Sequence, residues 1–306
     1  MSEQPIVIAG GSGFIGNALA REFVAHGRPV FVLTRRPRER NDGVREICWD
    51  GEKPDEWGQC LAGAAAVINL TGRSINCRHT PENLREIIRS RVQSVKAIAA
   101  AMAQSPSPPS VWVQASATGF YGDTGDRLCA ESAPHGRDRL AEVCREWETA
   151  FTSATLPATR RAVLRIGFVL GREGGALPVL ARLTRWFLGG SAGSGRQYLS
   201  WIHLADVVGI FAAAVANPAL AGTYNAVAPA PVTNAEFMRE LRGALHRPWS
   251  PPAPALAVKL GARLMGTEGS LALVSQRCSA QKLLDAGFQF QFPELAPALS
   301  DLCPGT

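Results

Sequence analysis

A short apolar stretch followed at once by three evenly spaced glycines constrains this chain more than any other feature. Residues 6–9 are apolar, Gly10, Gly13 and Gly16 follow in a G-x-x-G-x-x-G pattern, and an amphipathic segment begins at Asn17. A strand, a tight glycine turn and a helix in this order let the backbone approach a pyrophosphate, whose charge then lies against the helix N-terminus. The pattern predicts a dinucleotide-binding turn; a glycine-rich turn without a ligand is the alternative.

Strand patterns that alternate with helical patterns in the first half of the chain predict an α/β fold. Further strands are expected at 29–33, 44–50, 65–70, 111–115 and 162–166, and helices at 81–102 and 139–151. This alternation is typical of a doubly wound parallel sheet, the Rossmann fold, which binds ligands at the carboxyl ends of its strands. We expect a dinucleotide-binding domain over 1–170, completed by segments around 200–230, and a smaller, mostly helical C-terminal substrate region over 171–306.

The end of the second predicted strand indicates which dinucleotide is bound. Folds that select NAD place an acidic residue here to bind the ribose 2′-hydroxyl, whereas a 2′-phosphate requires cations. This chain has Thr34, Arg35 and Arg36 at that point and no acid. The sequence therefore predicts NADP as the cofactor, and the alternative is that the two arginines are ordinary exposed charges.

Composition excludes several other classes of protein. The 306 residues carry a net charge of +6, without the basic run and interleaved aromatic residues of a nucleic-acid binder, so a small anionic molecule is the better partner. Seven scattered cysteines and five scattered histidines predict no disulfide framework and no metal site. Reduced thiols and the lack of a leader or a spanning stretch predict a cytoplasmic protein with no membrane partner.

Motifs in a fixed order resemble those of the extended short-chain dehydrogenase/reductase superfamily. The resemblance is to its atypical branch, known as epimerase family proteins or sugar-nucleotide epimerases, and it covers nearly the whole chain. The matching segments are 10–16, 33–37, 69–72, 90–91, 120–122, 140–148, 165–171, 193–197, 201–203, 234–237 and 282–288.

The resemblance implies an NADP-binding Rossmann fold and assigns residues to it. It implies that Ser12, Gly13, Phe14 and Ile15 lie at the pyrophosphate, that Thr34, Arg35 and Arg36 lie at the 2′-phosphate, and that Leu70, Thr71 and Gly72 lie along the adenosine. Val169 would line the nicotinamide. Glu86 and Arg91 match a family E-x-x-x-x-R pair that reaches the cofactor, and a solvated pair on a helix face is the alternative.

The catalytic pair of the superfamily is missing from this chain. Its usual Tyr-x-x-x-Lys uses the lysine to lower the tyrosine pKa for proton transfer. Aligned on the following glutamate, those positions hold Leu140 and Cys144. Ser116 and Tyr121 are the remaining catalytic candidates. Ser116 takes the family's serine position only with a one-residue insertion, and without it Ala117 takes that position. A structural role is favoured for Tyr121, and a buried inert thiol is favoured for Cys144.

A glycine-rich loop in the second half holds the candidate substrate ligands. Arg196 and Gln197 are suited to a phosphate or carboxylate, and Trp201 offers a stacking face; a surface loop with an incidental arginine is the alternative. His203 and Asp206 have the spacing of a helix cap and an acidic first turn, which favours capping over catalysis.

Two functions remain in competition. The first is an NADP(H)-dependent oxidoreductase or epimerase acting on a small, nucleotide-linked substrate. The second is a non-catalytic NADP-binding redox sensor, which the loss of Tyr-x-x-x-Lys favours. The sequence leaves open whether the protein is a monomer or a homodimer.

Overall fold

A computed structural model describes residues 4–156, 158–264, 266 and 268–304. The strands are β1 Ile6–Ala9, β2 Val30–Thr34, β3 Val44–Cys48, β4 Ala66–Asn69, β5 Val111–Ala117, β6 Arg160–Ile166, β7 Phe168–Leu170, β8 Tyr198–Leu199, β9 Trp201–His203, β10 Gly222–Ala226 and β11 Val232–Thr233. The α-helices are α1 Phe14–Ala25, α2 Pro81–Gln104, α3 Arg139–Thr152, α4 Leu177–Arg185, α5 Leu204–Ala216, α6 Asn234–Ala244, α7 Ala255–Leu264, α8 Gln281–Asp285 and α9 Leu295–Leu302.

Seven parallel strands form the main sheet, in the order β10-β6-β5-β4-β1-β2-β3. The chain winds outward from β1 in both directions, so the β1 end is the point where the strand order reverses. Ligands bind beside such a point in open α/β sheets, because the loops that leave the neighbouring strands diverge there. The predicted doubly wound Rossmann fold is confirmed, with helices on both faces of the sheet.

The sequence explains why these segments form strands and helices. All four residues of β1 and all four of β4 are buried, as expected for central strands covered on both faces. Thr80 accepts the N–H of Asn83 at the start of α2, and Asp138 accepts two N–H groups at the start of α3. These side chains satisfy donors that the first helical turn leaves free.

Strand β6 begins two residues earlier than the apolar pattern predicts. The Arg160 guanidinium donates to the carbonyl oxygens of Ala214, Val215 and Leu220, at 2.7, 2.9 and 2.6 Å. It therefore satisfies carbonyl acceptors at and beyond the C-terminal end of α5. Because its charge is engaged in this way, an arginine can be the first residue of β6.

The C-terminal region is smaller and mostly helical, as expected, and it has a second apolar core. Trp201, Phe237 and Leu299 are fully buried in this core. Strand β10, in contrast, leaves this region and pairs along all five of its residues with β6 in the main sheet. This strand lies within the segments around 200–230 that the sequence expects to complete the sheet.

Candidate functional site

Two glycines in the turn between β1 and α1 have no room for a side chain. Gly10 has a φ of +76°, and a Cβ placed there would lie 3.0 Å from the nitrogen of Thr71. A Cβ at Gly16 would lie 2.5 Å from the Cα of Gly11. The backbones of the turn, of α1 and of the loop after β4 therefore approach one another closely at the carboxyl edge of the sheet.

The N-terminus of α1 is open. Gly13 occupies the cap position without a side-chain hydrogen bond, and no acidic residue stands in the first turn. A Cβ at Gly13 would meet only the Gly10 oxygen, at 3.4 Å, and Ser12 and Gly13 are both exposed. Free N–H groups and the positive end of the helix dipole therefore face an accessible space that suits a phosphate.

The end of β2 lies beside this turn. The Ser12 and Thr34 hydroxyl oxygens are 3.4 Å apart. Arg35 and Arg36 are exposed, and neither forms an ion pair with a described residue. Two unneutralised guanidinium groups thus follow the strand at the point where a 2′-phosphate needs cations.

Arg40 joins the same edge, although nothing in the sequence distinguished it from the other arginines of its segment. Its guanidinium donates to Asn17 Oδ1 at 3.0 Å, to Asp42 Oδ2 at 2.6 Å and to Glu46 Oε1 at 3.2 Å. The hydrogen bond from Arg40 holds the pKa of Asp42 below its ordinary value. Asn17 donates in turn to the carbonyl oxygen of Ser12, at 3.0 Å, so Arg40 braces the glycine turn.

The loop after β4 contributes a buried hydroxyl that lacks a partner. Asn69 Oδ1 accepts the N–H of Thr71 at 3.0 Å, whereas Thr71 Oγ1 is buried and no described atom hydrogen-bonds to it. Such groups are uncommon, because an unpaired buried hydroxyl costs about 1–3 kcal/mol. Leu70 is half-buried and Gly72 is exposed on either side of it.

Glu86 and Arg91 are not brought together. Arg91 lies against Gly72, where a Cβ would be 2.8 Å from its Cζ, and its Nη1 donates to the carbonyl oxygens of Arg73 and Ile87. Burial lowers the pKa of Arg91. Glu86 is half-buried and forms an ion pair with the Arg89 side chain, at 3.1 Å. Only Arg91 of the predicted pair therefore reaches the loop after β4.

Phe14, the first residue of α1, is enclosed by glycines from the second half of the chain. A Cβ at Gly171 would lie 2.5 Å from its ring and one at Gly174 would lie 2.3 Å from it. Val169, just before these glycines, is half-buried in β7, and Ile15 is half-buried behind Phe14. The missing side chains allow the glycine turn and the segment after β7 to pack together.

Ser116 and Tyr121 belong to a buried polar network centred on Arg165. The Ser116 hydroxyl donates to Glu148 Oε1 at 2.6 Å, and the Arg165 guanidinium donates to both Glu148 oxygens, at 2.9 and 2.8 Å. Arg165 also donates to the Tyr121 hydroxyl at 2.8 Å, and that hydroxyl donates to Asn225 Oδ1 at 2.6 Å. Both candidate hydroxyls are therefore engaged inside the protein.

The protonation of this region matches its burial. Burial raises the pKa of Tyr121 above its ordinary value, and it raises the pKa of the Cys144 thiol to about 12. Cys144 is therefore a neutral thiol at physiological pH, in line with the inert thiol that the sequence favoured. Leu140, at the usual tyrosine position, is half-buried and offers no proton.

Sequence reasoning missed Arg165 and Glu148, although a signal was present. Arg165 interrupts the apolar strand 162–166, and Glu148 lies on the face of α3 that also buries Cys144. A charged residue at a buried position requires a partner of opposite charge, so the position of either residue could have indicated that the other was nearby.

The three predicted substrate ligands have different environments. Arg196 is exposed at the surface of its loop. Gln197 is buried, and its amide donates to the carbonyl oxygens of Ala192 and Ala272, both at 2.9 Å. Trp201 has no exposed surface and donates its indole N–H to a backbone carbonyl. Arg196 can therefore contact a ligand directly, whereas Trp201 offers no face for stacking in this conformation.

His203 and Asp206 have structural partners at the start of α5. His203 Nδ1 accepts the N–H of Ala205 at 3.0 Å, so its predicted role as the helix cap is confirmed. Asp206 accepts the N–H groups of Gln291 and Phe292, at 2.6 and 3.1 Å. It therefore fastens the C-terminal segment to α5, and burial raises its pKa.

Among the residues that the structure describes, no group of three or more histidine, cysteine, aspartate or glutamate side chains could hold a metal ion. No helix among the same residues is both long and apolar enough to cross a membrane.

Comparisons with known families agree with the motifs. The profile of the NAD dependent epimerase/dehydratase family matches residues 6–227. The profile of a domain of unknown function, DUF1731, matches residues 253–302.

Curated relatives match the chain from end to end. An "Epimerase family protein SDR39U1 homolog, chloroplastic" of Arabidopsis thaliana is 35% identical over 303 residues, which cover 97% of this chain and 86% of that protein. The human epimerase family protein SDR39U1 is 34% identical over 304 residues, which cover 97% of this chain and 99% of the relative. Because one of these relatives is named as chloroplastic, the cytoplasmic location remains a prediction.

Solved structures share the fold over the same length. The crystal structure of human SDR39U1 (isoform2) with NADPH superimposes with a TM-score of 0.88 at 32% identity, covering 98% of this chain and 99% of that one. A nucleoside-diphosphate sugar epimerase from Corynebacterium glutamicum gives a TM-score of 0.79 at 32% identity, covering 99% of this chain and 59% of that one.

Proposed function

This chain belongs to the NAD dependent epimerase/dehydratase family, and from that premise we propose that it is an NADP(H)-dependent oxidoreductase or epimerase acting on a small anionic substrate. The similar human protein has been crystallised with NADPH. The observation that carries the proposal is the uncapped N-terminus of α1, which faces open space beside Arg35 and Arg36.

The residues around the glycine turn suit NADP. The N–H groups of Ser12, Phe14 and Ile15 would hold the pyrophosphate, because none of them has an acceptor among the described residues and the helix dipole favours an anion there. The N–H of Gly13 already donates to the Gly10 oxygen, at 3.2 Å. Arg35 and Arg36 would hold the 2′-phosphate with Thr34, since each is exposed without an ion-pair partner among the described residues. The unpaired Thr71 hydroxyl would gain a partner in the adenosine half, between Leu70 and Gly72.

When bound, NADP supplies a nicotinamide that exchanges a hydride with a substrate carbon. This chain contributes orientation: Phe14 fixes the turn against the segment after β7, and Val169 would border the nicotinamide. Arg91 would support the loop after β4 from beneath, because its guanidinium rests against Gly72. We assign Glu86 no contact with the cofactor, since it is paired with Arg89 on the surface.

We propose that Ser116 and Tyr121 are positioning residues. This differs from the catalytic role predicted for Ser116 and agrees with the structural role that the sequence favoured for Tyr121. Each hydroxyl already donates to a buried oxygen, so proton transfer to a substrate would break an internal hydrogen bond. We propose that they fix the carboxyl end of β5 against α3 and β10. The proton that the reaction needs would then come from water or from the substrate.

Arg196 is the proposed contact for an anionic group of the substrate. It is exposed, and Gln197 holds its loop in place through two carbonyl oxygens. A nucleoside-diphosphate sugar is the substrate class that the Corynebacterium relative suggests. Its diphosphate would suit a guanidinium, which binds phosphate with two parallel hydrogen bonds.

A non-catalytic NADP sensor is the second candidate. The closed network at Ser116 and Tyr121 favours it, because a sensor needs the cofactor turn but no proton donor. The exposed Arg196 in a separate loop favours the enzyme, since a sensor has no need of a substrate contact.

The test begins with the cofactor. Titration of the protein with NADPH and NADH by calorimetry should give tighter binding of NADPH. Arg35→Ala with Arg36→Ala should lower that preference at least about tenfold, because charged hydrogen bonds contribute about 1.5–3 kcal/mol each. Arg38→Ala is the control, since its side chain is exposed on the same segment. Equal affinity for both dinucleotides in the unmodified protein would contradict the proposal.

The second step separates the enzyme from the sensor. The protein saturated with NADPH is offered carbonyl compounds and nucleoside-diphosphate sugars, with cofactor oxidation followed by absorbance and epimer formation followed by NMR. Turnover that Arg196→Ala reduces would support the enzyme. Cofactor binding without turnover on any compound would favour the sensor.

A further inference from the structure

Large apolar side chains are exposed in two segments of the C-terminal half. Of the ten large hydrophobic side chains exposed among the described residues, seven lie at the end of α4 or between 249 and 264. They are Trp186, Phe187, Leu188, Trp249, Leu256, Leu260 and Leu264, and we call them the apolar surface. Their exposure ranges from 55% at Phe187 to 82% at Leu264. Such a concentration in a folded protein indicates an interaction site.

Backbone contacts join the two segments into one surface. Ala253 donates its N–H to the Ser191 oxygen and its own oxygen accepts the N–H of Gly193, both at 2.8 Å. The Arg247 guanidinium lies over the Phe187 ring, 5.4 Å from its centre. The chain after α4 therefore runs beside the chain before α7, and the apolar side chains from both lie in one region.

The backbone at the end of α4 holds these side chains outward. Phe187 has a φ of +59°, in the left-handed region that a bulky residue rarely adopts. Leu188 and Phe187 donate their N–H groups to Leu183 and Thr184, which closes the helix with a turn usually made by glycine. A phenylalanine in this position accepts backbone strain and exposes an aromatic ring to water, which points to a use for the exposed ring.

Helix α7 contributes an exposed apolar face of its own. Leu256, Leu260 and Leu264 follow one another at intervals of four residues, so they lie on one side of the helix. Lys259 and Arg263, the charged residues of the helix, are exposed as well. An apolar face bordered by cations is the pattern of a helix that lies in the surface of a membrane.

The charge around the apolar surface is mostly positive. Neither 174–205 nor 241–267 contains an aspartate or a glutamate. These two stretches carry seven arginine or lysine residues, at Arg182, Arg185, Arg196, Arg242, Arg247, Lys259 and Arg263. Glu268 lines one pocket together with Lys259 and Arg263 and neutralises part of this charge. A partner for this surface must therefore present negative charge beside an apolar interior.

We propose that the apolar surface docks on an anionic lipid bilayer. The aromatic rings and leucines enter the interface between headgroups and acyl chains, and the arginines and Lys259 contact the lipid phosphates. Tryptophan is well suited to this depth, because its ring is apolar and its indole N–H can bond a headgroup. The sequence predicted no membrane partner because it contains no stretch that could span a membrane. A surface that lies on a membrane cannot be predicted in the same way, since it depends on which side chains the fold leaves exposed.

A second copy of this chain fits the surface less well. In a twofold dimer the same patch faces itself, so a surface with an excess of cations would face another with the same excess. Like charges buried at an interface oppose association. Lipid phosphates neutralise the same cations.

The test uses the whole protein and vesicles of defined composition. Sedimentation with vesicles of equal parts phosphatidylglycerol and phosphatidylcholine is compared with sedimentation on phosphatidylcholine alone. Binding should be at least about tenfold stronger on the anionic vesicles and should fall as salt is raised. Tryptophan emission should shift to shorter wavelength, since Trp186 and Trp249 leave water. The result does not depend on the proposed function, because neither NADP nor a substrate is added.

Variants with matched controls locate the contact. Leu256→Ser with Leu260→Ser should weaken vesicle binding at least about tenfold, because two exposed apolar side chains no longer enter the lipid. Leu128→Ser with Leu284→Ser, at 53% and 40% exposure, should change it less than twofold. Lys259→Gln should weaken binding on anionic vesicles, and Lys96→Gln on α2 should not.

Three results would overturn the proposal. The first is absence of binding to anionic vesicles, and the second is equal binding to neutral ones. The third is binding that the leucine variants leave unchanged. If the protein instead forms a dimer by light scattering and the leucine pair dissociates it without any vesicle binding, a second copy covers the surface and the lipid proposal fails.

Discussion

At the N-terminus of α1 the backbone is left open, whereas around Arg165 the polar groups are closed upon one another. The first region has an uncapped helix, an exposed Gly13 and, nearby, a Thr71 hydroxyl without a partner. In the second, Ser116, Glu148 and Tyr121 use their polar atoms on neighbours within the protein. Both regions lie near the carboxyl ends of strands in the same sheet.

The difference indicates that the first region can bind a ligand, whereas the hydrogen-bond donors of the second are already engaged. Donors without an internal partner can bind a ligand without first breaking a hydrogen bond. The glycine turn therefore keeps the free N–H groups that a dinucleotide pyrophosphate requires. Donors that are already engaged stabilise the protein, and each would have to break an internal hydrogen bond before it could give a proton to a substrate. Leu140 and Cys144 stand where a tyrosine and a lysine would work, and Glu148 and Arg165, two of the charged groups near Cys144, are paired with each other.

The largest expected effect comes from opening the closed network. Glu148→Ala would leave Arg165 buried without its carboxylate partner, which costs about 3–5 kcal/mol of unfolding free energy. Urea denaturation followed by circular dichroism measures the loss. Glu142→Ala is the control, because its ion pair with Arg145 is exposed and contributes less than about 1 kcal/mol. Equal losses in the two variants would show that burial does not distinguish the two ion pairs.

A smaller effect tests whether Tyr121 is structural. Tyr121→Phe removes the hydroxyl between Arg165 and Asn225 and should lower the unfolding free energy by about 1–3 kcal/mol. Affinity for NADPH and any turnover measured on the folded variant should stay within about twofold of the parent protein. A loss of turnover at unchanged stability would instead return Tyr121 to the catalytic role.

Closing the open region should change binding rather than stability. Gly13→Ala adds a Cβ that meets only the Gly10 oxygen at 3.4 Å, so the fold should tolerate it. The methyl group would project into the space proposed for the pyrophosphate and weaken NADPH binding at least about tenfold, or about 1.4 kcal/mol. Gly243→Ala, where nothing lies within 4 Å, is the control for binding. Unchanged affinity in Gly13→Ala would place the cofactor elsewhere.

The smallest effect is a pH dependence of stability that arises from His203, the buried cap of α5. Burial lowers the pKa of His203, although Asp301 and Asp206 oppose this shift. The unfolded state therefore binds more protons near the ordinary histidine pKa of about 6.5, so stability present above that pH is lost as pH falls through the folded value. Urea midpoints at about pH 8 and pH 5.5 should show less of this loss in His203→Asn, which keeps a helix-capping side chain. Equal loss in both proteins would exclude His203 as the cause.

Sequence patterns predicted the sheet well because buried parallel strands are continuous apolar runs. Strands β1, β2 and β4 and the start of α2 lie within one residue of the predicted positions. The pairs β7·β9 and β8·β11 were not predicted as strands. They have only two or three residues each, too few for an alternating pattern to appear.

The site was predictable where it depends on local backbone and unpredictable where it depends on distant contacts. The spacing of Gly10 and Gly16 already indicates a tight turn, and both positions exclude a Cβ. The enclosure of Phe14 by Gly171 and Gly174 joins segments more than 150 residues apart, so no local pattern reveals it. Burial of Trp201 is of the same kind, since a tryptophan after a glycine-rich loop has the same sequence signature at the surface and in a core.

Strand β10 has a consequence for dividing this protein into parts. Gly222–Ala226 forms the outer edge of the sheet against β6, and Asn225 within it accepts the Tyr121 hydroxyl. A fragment that stopped near residue 170 would expose the hydrogen-bonding edge of β6, and uncovered edges of this kind promote aggregation between chains. The nucleotide-binding half therefore cannot be detached as an autonomous module by a single cut, and any fusion or truncation must retain the returning strand.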